Sequence, residues 1–205
     1  MPIVFVEPCV PVLRPSPPKG SGWIHEAKFD GWRVQIVKAD GAMRILSRRG
    51  YDLTKRLPRL SAGLLALPGD VVIDGELVLP CDDGRCDFYG LTSAIGDGRD
   101  LELLIWAFDL LRRDGEDLRP RPLIERKAAL AGVVELAGLP SLALSATFDD
   151  GEALLRAAEH HALEGVVSKR ATSTYVSGRC SAWIKAKTPK WRAANRERWR
   201  AFVRD

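Results

Sequence analysis

From Gly22 onward the chain alternates. In Trp23-Ile24-His25-Glu26-Ala27-Lys28-Phe29 and again in Arg33-Val34-Gln35-Ile36-Val37 the pattern runs with a period of two, with Asp30-Gly31 between the segments, so a pair of strands joined by a turn is predicted. Ala42-Met43-Arg44-Ile45-Leu46-Ser47 extends the meander past a second turn at Asp40-Gly41. Leu57 to Leu67 changes to helical spacing. Asp70 to Leu79 reads as two strands around a bend, and Leu103 to Leu111 as a buried strand, an apolar run too short for most helices. Pro122 to Ala137 predicts a helix with proline tolerated in its first turn, and Gly151 to His161 a second one. Gly165-Val166-Val167-Ser168 and Ala182-Trp183-Ile184-Lys185-Ala186 predict two further short strands, and basic, tryptophan-bearing Lys190 to Asp205 a helix. Upstream, residues 8 to 22 hold five prolines and two glycines and read as an extended lead-in with neither helix nor strand. Strands and helices mix without a regular βαβ alternation, which makes the fold class α+β.

A chain of 205 residues suits one large domain or two small ones and buries a real core. Its apolar fraction of 46% and charged fraction of 28% are those of a globular protein. The 31 basic and 27 acidic residues leave +4, too mild an excess to argue for nucleic acid by itself. MPIVFVEPCVPVLRPSPPKG has no basic region ahead of an apolar core, so no signal peptide is read. No apolar run approaches the roughly 18–20 residues that span a bilayer, and a cytoplasmic location without membrane contact is the expectation. Cys81 and Cys86, with four residues between them, would suit half of a zinc site, but no second pair follows and His160-His161 lie far along the chain. Neither a zinc site nor a disulfide framework is expected of Cys9, Cys81, Cys86 and Cys180.

Short polar clusters interrupt the predicted strands. Glu26, Lys28 and Asp30 project to one face, and a desolvated lysine amine loses its proton near neutral pH and attacks phosphorus or carbonyl carbon; a salt-bridged edge strand would show the same residues. Ser47-Arg48-Arg49-Gly50 suits a bend that presents guanidinium groups to a phosphate or ribose, or a solvated turn. Asp74-Gly75-Glu76 places two carboxylates in apolar surroundings, which is costly unless they are paired or face a metal. Phe108 offers a ring to a purine or simply fills the core. Glu164 stands at the mouth of a buried strand, and Lys185 and Lys187 share one face of another, which favours an anion between them or an exposed basic strand.

In order, Lys28-Phe29-Asp30-Gly31-Trp32-Arg33, Ser47-Arg48-Arg49-Gly50, Asp74-Gly75-Glu76, Phe108-Asp109-Leu110-Leu111, Glu164-Gly165-Val166-Val167 and Trp183-Ile184-Lys185-Ala186-Lys187 resemble the motif series of the covalent nucleotidyltransferases: ATP-dependent DNA ligases, RNA ligases and mRNA capping enzymes. Trp23, Trp106 to Leu111, Pro122 to Lys127 and Tyr175 to Lys187 resemble the DNA ligase branch, particularly bacterial ligases of the end-joining type, over roughly residues 8 to 190. The resemblance implies an adenylation (ATP-grasp-like nucleotidyltransferase) domain of antiparallel sheets flanked by helices over 1–190, with 1–21 as lead-in and 191–205 as a basic tail.

The resemblance further implies that Lys28 attacks the α-phosphorus of ATP and retains AMP. Glu26 lies near the adenine amino group, Arg33 and Arg48 contact ribose and phosphate, and Phe108 stacks on adenine. Glu76 binds the ribose hydroxyl or supports a metal through water, Glu164 holds that ion, expected to be Mg²⁺, and Lys185 and Lys187 neutralise the α-phosphate. Cations around Lys28 are expected to depress its pKa. In the family AMP then moves to the 5′-phosphate of nicked double-stranded DNA, and the 3′-hydroxyl displaces it. Family ligases carry an OB-fold after the residue matching Lys187; the 18 residues that follow here are too few for one, so the OB-fold is expected to be absent and a separate OB-fold or end-joining repair protein is the partner implied. A nucleotide or nicked-DNA binding module acting with a partner, and an RNA-ligase or capping-type enzyme, are the alternative readings.

Overall fold

The computed structural model describes residues 5–196. Two sheets face each other. The first is built from β1 (Cys9–Leu13), β2 (Trp23–Lys28), β9 (Gly165–Arg170) and β10 (Gly178–Lys187), in the order β1-β10-β9-β2. The second runs β4-β3-β5-β6-β7, from β3 (Trp32–Ala39), β4 (Ala42–Ser47), β5 (Val71–Val78), β6 (Leu104–Arg113) and β7 (Glu116–Asp117), with β8 (Leu142–Leu144) also on β6. Pairing is antiparallel except for β1 on β10 and β8 on β6. The helices are α1 (Pro58–Leu64), α2 (Phe88–Gly96), α3 (Leu123–Ala137), α4 (Gly151–His160) and α5 (Pro189–Ala194). The expected α+β class is the observed one. None of the described helices is long and apolar enough to cross a membrane.

Two local readings need correction. The lead-in is not free of strand: β1 pairs with β10 at the edge of the first sheet, and its register shifts between Pro11 and Val12. Prolines are compatible with strand there, because an edge leaves one side without a ladder to donate to and a bulge absorbs the break. Asp70 to Leu79 is not two strands around a bend but the single strand β5. Gly75 serves close packing rather than a turn: a Cβ on it would meet Ile105 Cγ2 at 2.8 Å and the Trp106 carbonyl oxygen at 3.0 Å. The expected helix over 190–205 is met by α5 at its start, and its part from 197 onward lies outside the described residues.

One apolar core, including Ile36, Ile45, Leu60, Ile73, Ile105 and Leu130, forms on the side of the second sheet that carries the helices. Burying each such side chain contributes about 1.5–3 kcal/mol. A smaller cluster, with Val37, Leu111, Tyr175 and Trp183, lies where the sheets approach. Helix ends are held by side chains: Asp150 accepts from Ala153 N (2.9 Å), Thr188 Oγ1 from Trp191 N (3.2 Å), and Asp100 Oδ2 from Arg59 N and Leu60 N at the start of α1. These caps and cores fix the two sheets, whose facing strands build the cavity described next.

Candidate active site

The cavity between the sheets measures about 420 Å³. The first sheet lends Glu26, Lys28, Lys169, Trp183 and Lys185, and the second Arg33, Glu76 and Phe108, with Arg48 from the turn after β4. Every site residue singled out from the sequence therefore lines one cavity, except Lys187. Lys187 is buried one layer back, with Nζ 2.7 Å from Glu164 Oε1 and 3.8 Å from the Trp191 ring centroid. A second cavity of about 480 Å³ shares Lys28, Asp30 and Glu164 with the first and is lined also by Arg85, Cys81, Cys86 and Lys190. Burial and the neighbouring Cys81 push the Cys86 thiol up to about 12, and no group of three metal-ligating side chains forms among the described residues.

Lys28 ends β2, and the chain turns at once through Asp30-Gly31. Gly31 lies so close to β5 that a Cβ would fall 2.2 Å from the Leu77 carbonyl oxygen, so a side chain here would push the turn off the sheet. Lys28 Nζ donates to Glu164 Oε2 at 2.9 Å. The expectation that cations depress its pKa is overturned. Burial does oppose the charge, but Glu164 and Glu76 outweigh it and the pKa is raised. The neighbours that reach Nζ through space are mainly carboxylates. Lys187 shows the opposite balance: burial brings it down to about 8 although Glu164 pulls the other way.

Glu76 is pushed up to about 7, mainly by burial, with Lys28 and Arg33 opposing and Glu164 adding to the rise. Between its ordinary 4.5 and about 7 the folded chain holds a proton that the unfolded chain has released, so stability falls as pH rises through that window. Glu76→Gln removes the penalty. Urea titration at pH 8 is expected to find the variant more stable than wild type by on the order of 2 kcal/mol, with the difference vanishing at pH 4. An unchanged or lower stability at pH 8 would contradict this.

Arg33 lines the cavity, yet its guanidinium is already engaged. It donates to Asp74 through Nε (3.0 Å) and a terminal nitrogen (2.7 Å), to the Cys9 carbonyl and to Tyr175 Oη. Tyr175 Oη in turn donates to Asp74 at 2.6 Å. Arg33 thus ties the sheets together while lining the cavity, and it supplies the partner that the fully buried Asp74 requires. Arg33 also lies 5.3 Å from the centroid of the Phe108 ring, and Trp183 meets that ring edge-on.

The sequence did not single out Lys127 or Lys169 for roles at the site, and it named no partner for Asp74. Lys169 Nζ (2.9 Å) and Lys127 Nζ (3.0 Å) both donate to Glu26 Oε1. Burial opposes ionisation of Glu26, but the two lysines more than offset it and its pKa is lowered. A lysine at an inward position, Lys169 on β9 or Lys127 on the buried stripe of α3 with Leu123, Leu130 and Val133, is the signal that could have found them.

The cavity brings the rings of Phe108 and Trp183 and the carboxylate of Glu26 together with Lys28, Lys185, Arg48, Glu76 and Glu164. That donor set fits a purine nucleotide with its phosphates toward Lys28. Two carboxylates also fit Mg²⁺ that keeps several waters and is held partly by phosphate oxygens.

Known proteins support the same reading. Residues 16–187 match the family described as ATP dependent DNA ligase domain. The multifunctional non-homologous end joining protein LigD of Pseudomonas aeruginosa is 40% identical over 185 residues, 89% of this chain and 22% of that protein. DNA ligase B of Mycobacterium tuberculosis is 37% identical over 178 residues, 82% of this chain and 35% of that protein. A solved mycobacterial DNA ligase D complexed with ATP and MES superposes with a TM-score of 0.74 at 33% identity, covering 88% of this chain and 59% of the other. The chain thus spans a fifth to about a third of the two curated relatives.

Proposed function

We propose, since this chain belongs to the ATP-dependent DNA ligase family, that it transfers AMP from ATP to Lys28 Nζ and passes it to the 5′-phosphate of a nick in double-stranded DNA. The observation that carries the reading is the placement of Lys28 in the wall of a cavity that it shares with the Phe108 and Trp183 rings and with Lys185, Arg48, Glu76 and Glu164. The Phe108 ring and the Glu26 carboxylate receive the adenine, and Glu76 the ribose. Lys185 and Arg48 meet the phosphates. Lys187, buried behind Glu164, acts on the phosphates through that carboxylate. Mg²⁺ held on Glu164, Glu76 and phosphate oxygens would balance the triphosphate charge.

In the transfer, Nζ first gives up the proton that makes it an ammonium, and Glu164 Oε2, at 2.9 Å, is an acceptor within reach of it. The freed lone pair forms a bond to the α-phosphorus, the bond from that phosphorus to pyrophosphate breaks, and a second proton leaves the nitrogen for the departing pyrophosphate or solvent. Little else is required of the protein than alignment and charge balance. DNA contact would follow the phosphate backbone and weaken with salt. An end-joining repair protein is the partner proposed for nick sealing.

The test uses ATP labelled at either the α- or the γ-phosphate, followed by denaturing electrophoresis. Label is expected on the chain from the α-position alone, and Lys28→Ala is expected to lower it by at least about 10³-fold. Label from the γ-position, or full labelling of Lys28→Ala, would contradict the reading. GTP in place of ATP separates it from a capping-type enzyme.

A further inference from the structure

Two buried ammonium groups converge on one carboxylate oxygen in the wall of the cavity. Lys127 reaches Glu26 Oε1 from α3, 101 residues away, and Lys169 reaches the same atom from β9, 143 residues away. Both are held elsewhere as well. Lys127 Nζ donates to the Ser145 carbonyl at 3.2 Å, and Lys169 Nζ lies 4.4 Å from the Phe108 ring centroid and 4.2 Å from that of Trp183. Glu26 is 2% exposed, yet it lines the cavity, and its Oε2 carries no hydrogen bond among the described residues.

We propose that Lys127 and Lys169 are a positioning pair that fixes Glu26 as an acceptor-only carboxylate and so sets the preference of the cavity for a purine with an amino group at C6. An ionised carboxylate only accepts hydrogen bonds, whereas a protonated one also donates. One lysine would supply charge. Two, arriving at the same oxygen from different elements, also fix its direction and leave the second oxygen to the base. A C6 carbonyl placed there would set acceptor against acceptor, and a bare C6–H would leave Oε2 without a donor. The same ammonium of Lys169 also lies against the Phe108 ring. The inference rests on the reading that the cavity takes a purine nucleotide, and does not require transfer to occur.

The experiment is equilibrium binding to the full chain carrying Lys28→Ala, which keeps association reversible. The probes are ATP, inosine triphosphate (carbonyl at C6) and purine riboside triphosphate (hydrogen at C6). The parent is expected to prefer ATP over both by at least about tenfold, the size of one hydrogen bond to a charged group. Lys169→Met and Lys127→Met are each expected to reduce the preference to within about threefold by weakening ATP alone, and Lys169→Arg to restore most of it. A parent without preference, or folded methionine variants that keep the full ratio or weaken all three nucleotides alike, would overturn the proposal. Thermal unfolding monitors folding, and either methionine variant alone decides if the other does not fold. Intact preference for ATP here, together with a wild-type chain that takes no covalent AMP, would refute the transfer reading and leave this one standing.

Discussion

Glu164→Ala is expected to abolish covalent transfer of AMP and to destabilise the chain by about 3–5 kcal/mol, because a buried ion pair broken from one side leaves its partner charge uncompensated. Glu164 is 3% exposed and holds two ammonium groups at once: Lys28 through Oε2 at 2.9 Å and Lys187 through Oε1 at 2.7 Å. Without it Lys187, already brought down to about 8 by burial, would shed its proton more readily. The stability deficit should therefore shrink as pH rises. Lys28 would lose both its orientation and the nearest acceptor for its proton. Urea titrations at pH 7 and pH 9 with a parallel labelling assay check this. A loss below about 1 kcal/mol, the size of a surface pair, would show that Glu164 does not order this end of the cavity.

The second large effect lies behind Phe108. Arg126 and Asp109 are both fully buried and joined by two bonds of 2.8 Å, while Arg126 also donates to the carbonyls of Arg121 and Ser173. Arg126→Leu is expected to cost about 3–5 kcal/mol, and Asp109→Leu with Arg126→Leu to recover much of that, since an apolar pair replaces an unpaired charge. Burial already raises the Asp109 pKa against the pull of Arg126. In the single variant it rises further. The folded chain then holds a proton the unfolded chain has lost, and stability falls as pH increases. Equal deficits at pH 5 and pH 8, or a double variant as unstable as the single, would contradict this account.

How far the sequence foretold these sites depends on distance along the chain. β3, β4 and β6 were legible because alternation or an apolar run is local. α3 was legible from its spacing and from Pro122 at its start. β1 was hidden because five prolines mark an extended segment without saying that a sheet edge receives it. The residues that line the cavity were found through motif order. Their partners were not, since Glu26 meets Lys127 and Lys169 only after the chain has closed on itself. The same blindness inverted the expected shift of Lys28: the cations that the motif series gathers around it are outweighed in space by Glu164 and Glu76. Asp74 shows the middle case. Its cost in an apolar strand was evident, and its partner Arg33, 41 residues earlier, was not.

The most direct measurement is peptide mapping by mass spectrometry after the wild-type chain has been incubated with ATP and Mg²⁺. One added AMP is expected, on the peptide that contains Lys28, removed by excess pyrophosphate. An adduct on another residue, or none on a folded chain that binds ATP, would contradict the claim that this amine is the nucleophile.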